Sequence, residues 1–408
     1  MIPEEKIEEV IKKAIDMYVP SKKEIESMLA IAKSVKERLE KYFPCSIGGS
    51  VSRGTFLKGE KEIDIHVLFK TEDKMKDLEK IIKKEFKKYE KIRGSRDYYA
   101  IYHKDIKIEI VPVLEIEDPR DAKNVVDLSQ FHVKYLSKRI DEDLRKNIVI
   151  TKKFTKACSS YGAESFIQGF SGYSLEVIML YFKEFKRLVM ESDYIRPQYV
   201  IDIEGYYTSF EELRRTLGLD KIKSPLIVID PVYKERNICA SLSYNSFAKW
   251  IFNLRLFKRN PDLKFFEDKI TIKTLKDRAK KRGTKYILKK FKIEGNKDIF
   301  LTKLKKKVLQ LEHNLKNFEI YLYDYNVFEE NGFGVVFIEY FDKEKKVIRH
   351  LGPPPWIPNQ FFDKFLLKLR EKEVVYGPYV WKNRICVDIK KPDTNQKIKE
   401  EFDKLFPT

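Results

Sequence analysis

In the run EIDIHV, Glu62 and Asp64 stand two residues apart within an apolar alternation. A strand of that pattern carries both carboxylates on one face and packs Ile63 and Ile65 on the other. Two acids side by side on a half-buried strand repel by on the order of 4 kcal/mol at about 4 Å and an effective dielectric near 20. A divalent metal is the natural remedy, because Mg²⁺ takes hard oxygen ligands and keeps positions open for phosphate oxygens and water. Glu109, in the alternating IKIEIVPVL, offers a third carboxylate from a neighbouring strand. Three such acids can hold two metals for in-line phosphoryl transfer, one activating a hydroxyl and the other steadying pyrophosphate. Twelve residues before Glu62 stands Ser50, closing Gly48-Gly49-Ser50. That turn suits close approach of backbone N–H groups to a phosphate, the serine adds a hydroxyl donor, and Arg53 can pair with the same phosphates.

Holding a glycine turn against two strands calls for a small α/β unit, and the flanking residues supply one. Apolar recurrence at three and four predicts helices over 4–17 and 21–43, then a helix near 72–90, with strands at 97–103 and 106–114. The unit ends near 140. From 141 to 192 the pattern is helical, interrupted by QGFSGYS (168–174), a turn expected to open a helix at Tyr173. SPLIVIDP (224–231) reads as a strand and 243–258 as a helix. Beyond Pro261 the composition shifts: Lys264 to Lys307 holds 17 Lys or Arg against 5 Asp or Glu. An apolar stripe from Leu301 to Phe318 and the strand-like EIYLYDY, FGVVFIEYF and KKVIRHL complete a mixed region. The expected domains are therefore 1–140, 141–260 and 261–408.

The charge points to the partner. Lys and Arg number 82 against 63 acids, a net +19, and such an excess favours a polyanion, nucleic acid before membrane. Cys45, Cys158, Cys239 and Cys386 are scattered without a CxxC pair, which argues against structural zinc and a disulfide framework and for a reducing interior. The chain nowhere approaches 18 uninterrupted apolar residues, so a soluble, cytoplasmic protein with no membrane partner is expected.

GGSVSRGTFLKGEKEIDIHVLF resembles the nucleotidyltransferase signature of the DNA polymerase β superfamily, in the form it takes in archaeal, class I CCA-adding enzymes. FHVKYL (131–136), YGAESFIQGFSGYSLEVI (161–178), IDPVYKERNICASLS (229–243) and GPPPW (352–356) are similar to later blocks of that family, in order over some 300 residues. The resemblance implies an α/β and α+β multidomain fold: a polymerase β-type nucleotidyltransferase head, a helical central domain and an α+β C-terminal RNA-binding region. It implies template-independent addition of CCA to the 3′ end of tRNA from CTP and ATP, with a two-metal Mg²⁺ site. By the same resemblance, Glu62, Asp64 and Glu109 would hold the metals, and Gly49, Ser50 and Arg53 would grip the triphosphate. Ser129, His132, Lys152 and Tyr161 would contact triphosphate or sugar, and Arg236 would read the base edge. The third acid departs from the family, where it is Asp in a VDVVP-like strand. The extra methylene of Glu109 shifts a ligand by about a bond length, a displacement that can cost roughly 100-fold in rate.

A tRNA acceptor stem is A-form and is recognised through phosphates and 2′-hydroxyls. Lys280, Lys281, Arg282, Lys289 and Lys290 are dense enough to follow its backbone. Poly(A) or oligoadenylate synthesis, partial CCA addition and a catalytically silent tRNA-binding homologue stand as alternatives. The oligomeric state is left open, a homodimer included.

Overall fold

The computed structural model describes the chain except residues 1–3, 95, 269, 317, 319, 342–346, 354–358, 382–383, 391–392 and 408. It divides into two compact units, 1–269 and 270–408.

The first unit opens with α1 (Glu4–Tyr18) and α2 (Lys22–Glu40). Ser21 separates them after Pro20 by a reciprocal cap: its hydroxyl accepts from the Glu24 N–H, and the Glu24 carboxylate accepts from the Ser21 N–H. Then come β1 (Cys45–Ile47), β2 (Glu62–Phe69), α3 (Asp77–Glu85), β3 (Glu90–Ile92), β4 (Tyr98–His103) and β5 (Ile106–Leu114). The sheet order is β1-β2-β5-β4-β3, with β2 and β5 parallel and the other neighbours antiparallel. The helix expected near 72–90 is broken up. A 3-10 turn takes Glu72–Lys76, α3 is short, and Glu90–Ile92 pairs with β4, because cross-strand hydrogen bonding outbids local helix propensity at that edge. Along β2, Ile63, Ile65 and Val67 are fully buried in one core with Ala32, Leu39, Leu78 and Ile82. Each such side chain contributes about 2 kcal/mol of burial, which pins Glu62, Asp64 and His66 to the opposite face.

The unit continues with α4 (Ser129–Ser137), α5 (Glu142–Ala157), α6 (Gly172–Phe182), α7 (Phe185–Glu191), β6 (Tyr199–Ile201), α8 (Phe210–Leu217), β7 (Leu226–Asp230), β8 (Tyr233–Asn237) and α9 (Tyr244–Arg259). Strand β7 lies between β6, parallel to it, and β8, antiparallel. Helices α5, α6 and α9 build a second core around Phe154, Phe182, Trp250 and Phe257, and α1 packs its Ile7, Val10, Ile11, Ala14 stripe into it. Helix α6 starts at Gly172 under a Ser171 cap, one residue before the position expected.

The second unit holds α10 (Ile272–Arg282), β9 (Lys285–Lys292), α11 (Lys297–Lys316), β10 (Leu322–Glu330), β11 (Phe333–Tyr340), β12 (Val347–Leu351), α12 (Asn359–Leu369), β13 (Val374–Trp381), β14 (Arg384–Lys390) and α13 (Thr394–Leu405). Two antiparallel sheets run β10-β11-β9 and β12-β14-β13. Leu301, Leu304, Val308, Leu311 and Leu315 of the expected stripe are buried on α11, whereas Phe318 lies beyond the end of the helix and is half-buried. Pro354, Pro355 and Trp356 of GPPPW lie outside the described residues. All four cysteines are buried. Among the described residues no helix is long and apolar enough to cross a membrane.

Candidate active site

Strand β1 pairs with β2 up to Ile47↔Ile65, so the chain leaves it directly over Asp64. The Gly48 N–H donates to the Asp64 carbonyl at 2.8 Å. Gly49 has φ +57°, and a Cβ there would lie 1.8 Å from Asp64 Oδ2. Backbone conformation and lack of space thus both demand glycine at this position. A Cβ on Gly48 would lie 2.3 Å from the His66 ring, so that imidazole forms the floor of the turn. Burial and the nearby Arg53 and His132 push His66 down to about 4, so it is neutral at physiological pH. Ser50 precedes a 3-10 turn, Val51–Arg53, and its carbonyl accepts from the Thr55 N–H at 3.0 Å.

The parallel register sets Glu62 opposite Lys107 and Asp64 opposite Glu109. Three carboxylates and one ammonium therefore share one face of two adjacent strands. Lys107 Nζ contacts Glu109 Oε1 and lies 3.3 Å from Glu62 Oε1. Asp64 is pushed up to about 7, first by burial and then by repulsion from Glu109 and Glu62, against the pull of Arg53 and Lys107. Burial also raises Glu109, opposed by Lys107. Lys107 loses some preference for its charged form to burial, yet Glu109 and Glu62 hold it above the ordinary lysine value. Among the described residues, no three acidic, histidine or cysteine side chains already converge as a metal cage.

Behind the turn lies a second, buried charge cluster. Arg53 donates through Nε and Nη2 to Glu176 Oε2, at 3.1 and 2.8 Å. Lys152, on α5, donates to Glu176 Oε1 at 2.8 Å and to the Thr55 carbonyl at 3.1 Å. Glu176, on α6, is 1% exposed; burial alone would raise it, but Arg53 and Lys152 hold it down to about 2. Two cations on one carboxylate leave a net positive charge in a dry place. Tyr161 lies beside them: a Cβ on Gly172 would sit 3.1 Å from its hydroxyl and 3.7 Å from Lys152 Nζ. Burial, Glu60 and Glu176 push the Tyr161 hydroxyl up, which keeps it a donor.

A third cluster is organised by Asp230, fully buried at the end of β7. Its carboxylate accepts from Tyr173 Oη at 2.9 Å, Arg236 Nη1 at 2.8 Å and the Val232 N–H at 3.1 Å. His132 Nε2 lies 3.1 Å from Asp230 Oδ2, and the His132 ring stacks on Tyr173 with centroids 3.9 Å apart. Burial lowers His132 while Asp230 opposes it, with the net shift downward. Ser129 opens α4 one turn before His132.

Sequence reasoning selected neither Lys107, Thr55, Glu176, Tyr173 nor Asp230. A signal existed for two of them. Glu176 is the one acid in SLEVIML and Asp230 ends LIVID, and a lone carboxylate in an apolar run must find partners when buried.

The five basic residues of the second unit do not share one surface. Lys280 and Lys281 are exposed at the end of α10, and Lys290 is exposed on β9. Arg282 pairs with buried Glu339 at 3.2 Å and with Asp324 at 3.2 Å. Lys289 faces away from Lys290 and donates to the Phe406 carbonyl at 2.8 Å.

Comparison with known proteins gives these clusters a family. Residues 146–267 match the model of the tRNA nucleotidyltransferase second domain, and 282–401 that of the CCA-adding enzyme C-terminal domain. The CCA-adding enzyme of Nanoarchaeum equitans is 33% identical over 376 residues, covering 90% of this chain and 86% of that one. The CCA-adding enzyme of Pyrobaculum neutrophilum is 26% identical over 402 residues, covering 95% and 92%. A solved cytoplasmic RNA terminal U-transferase shares the fold, at a TM-score of 0.50 and 14% identity over 66% of this chain and 100% of that one. With its mixed α/β multidomain architecture, the chain belongs to the CCA-adding enzyme family of tRNA nucleotidyltransferases.

Proposed function

We propose that this chain adds C, C and A in turn to the 3′ end of tRNA, taking them from CTP and ATP without a template. One observation carries the reading: the parallel β2–β5 register sets Asp64 beside Glu109 under a turn that only Gly49 can occupy. The acids fit a hard divalent cation, since three carboxylates face one lysine and Asp64 is raised to about 7 by burial and then by repulsion from Glu109 and Glu62. Glu62, Asp64 and Glu109 would hold Mg²⁺, in a two-metal site, and bound Mg²⁺ supplies Lewis-acid activation of the tRNA 3′-hydroxyl and charge relief at the leaving pyrophosphate. In the transfer, the 3′-oxygen bonds to the α-phosphorus, the α–β bridging P–O bond breaks, pyrophosphate leaves and the hydroxyl proton is lost.

The chain's own residues would position that exchange. Gly49 and Ser50 offer backbone and hydroxyl donors to the triphosphate. Arg53 and Lys152, preset by Glu176, bring net positive charge. Ser129, His132 and Tyr161 line the approach to triphosphate and sugar. Arg236, fixed to Asp230 through one Nη, keeps other N–H donors for acceptors on cytosine and adenine and finds no matching set on uracil. In this reading, 1–140 performs transfer in the cytoplasm, 141–260 selects the base, and 261–408 binds the acceptor stem with Lys280, Lys281 and Lys290 exposed to reach it, while Arg282 and Lys289 are held by Glu339 and the Phe406 carbonyl.

The test is incorporation of each labelled nucleotide, with Mg²⁺, into tRNA transcripts ending at the discriminator base, at C or at CC. The expected result is C, C and A in turn, then arrest. Long runs of A would replace this reading with polyadenylation, and no incorporation on any transcript would end the enzyme reading.

A further inference from the structure

We infer that Lys107 is a built-in counter-cation of the acid array, one that a divalent metal must displace from Glu109. The inference rests on the reading of Glu62, Asp64 and Glu109 as metal ligands. Lys107 and Glu109 are two residues apart on β5 and so project to the same face. The strand register places Lys107 directly opposite Glu62, and its ammonium touches carboxylates on both strands. One methylene longer than Asp, Glu109 has the reach to meet that ammonium along its own strand, rather than closing on Asp64 across the pair.

The geometry has a thermodynamic consequence. A cation already bound to Glu109 and Glu62 lowers the cost of holding three acids together when metal is absent. It also competes with the metal for the same oxygens. Lys107 is well suited to give way. Its side chain is 30% exposed and Glu62 is 58% exposed, so the flexible stem can swing its ammonium into water once a divalent ion arrives. Lys107 is thus a positioning residue for Glu109 and sets how much metal the site requires.

Mn²⁺ titration of the full-length protein, with free Mn²⁺ followed by electron paramagnetic resonance, measures this without turnover. Lys107→Met is expected to tighten Mn²⁺ binding about tenfold. The metal-free variant should melt at a lower temperature than the parent and gain more from added Mn²⁺. Lys107→Gln carries the same expectation with a polar stem end, and Lys107→Arg, which keeps the charge, should bring no tightening. Asp64→Asn separates the two readings. If it abolishes Mn²⁺ binding and Lys107→Met binds no tighter than the parent, the role of Lys107 is overturned while the metal site stands. If Asp64→Asn binds Mn²⁺ as the parent does, the acids are not the metal site, and the inference falls with that reading.

Discussion

Asp64 and Glu176 are two carboxylates behind the same glycine turn, and their environments drive them in opposite directions. Glu176 meets Arg53, Lys152 and Thr55, and its charge is held so firmly that it titrates near 2. Asp64 meets Glu109 and Glu62, and it titrates near 7. Burial penalises both, so the difference lies in the neighbours. One carboxylate is neutralised within the chain, whereas the other has only the distant pull of Arg53 and of Lys107, whose ammonium contacts the two further acids. On the proposed function, the contrast separates scaffold from reactive centre: where positive charge is supplied internally the chain has built a fixed support, and where it falls short a cation from outside would complete the balance.

The largest effect should come from breaking the under-neutralised side. Asp64→Ala is expected to reduce nucleotide transfer by at least about 1000-fold, while a filter-binding or gel-shift assay finds tRNA affinity within a few fold of the parent. Equal loss of both would contradict that contrast.

On the neutralised side, Glu176→Gln removes the negative charge that Arg53 and Lys152 share. Transfer should fall about 100-fold for CTP and ATP alike, because on the proposed function the pair would face the triphosphate common to both. A loss confined to one nucleotide, seen in single-nucleotide kinetics, would place Glu176 with the base-reading group instead.

The smallest effect is on stability, and its sign differs between the two. Glu176 has a folded value near 2 against 4.5. Its stabilisation is therefore complete above pH 4.5 and is lost as pH falls toward 2. Glu176→Gln should cost on the order of 2 kcal/mol at pH 7 and progressively less below pH 4.5. Asp64 has a folded value near 7 against 3.8, so the folded state keeps a proton that the unfolded chain has already released. Metal-free protein should lose stability as pH rises from about 4 to 7, and Asp64→Asn should relieve on the order of 4 kcal/mol at pH 8 but almost nothing near pH 4. Denaturant titrations of the metal-free proteins across this range check both.

The elements that carry local patterns were legible in the sequence. The period-two alternation put Glu62 and Asp64 on one face, the α11 stripe named its own buried residues, and the ordered motif blocks led to the family. Patterns with competing partners were not. The Lys-rich run divides between helix and strand, and the segment after Thr71 breaks into a turn, a short helix and an edge strand. Glu176 and Asp230 announced themselves as lone acids in apolar runs, yet nothing local said which cations would answer them.

By itself the sequence determined residue types, periodicity and kinship: a glycine turn, acids in step on strands, a basic chain and a family membership. Only the tertiary structure decided who meets whom. The pairing of β2 with β5 sets Glu109 beside Asp64 and Lys107 beside Glu62, and the packing of α5 and α6 against the turn brings Lys152 and Glu176 to Arg53 and Thr55. Strand register and helix docking join residues tens to more than a hundred positions apart, and they are chosen by burial summed over whole faces rather than by any local preference.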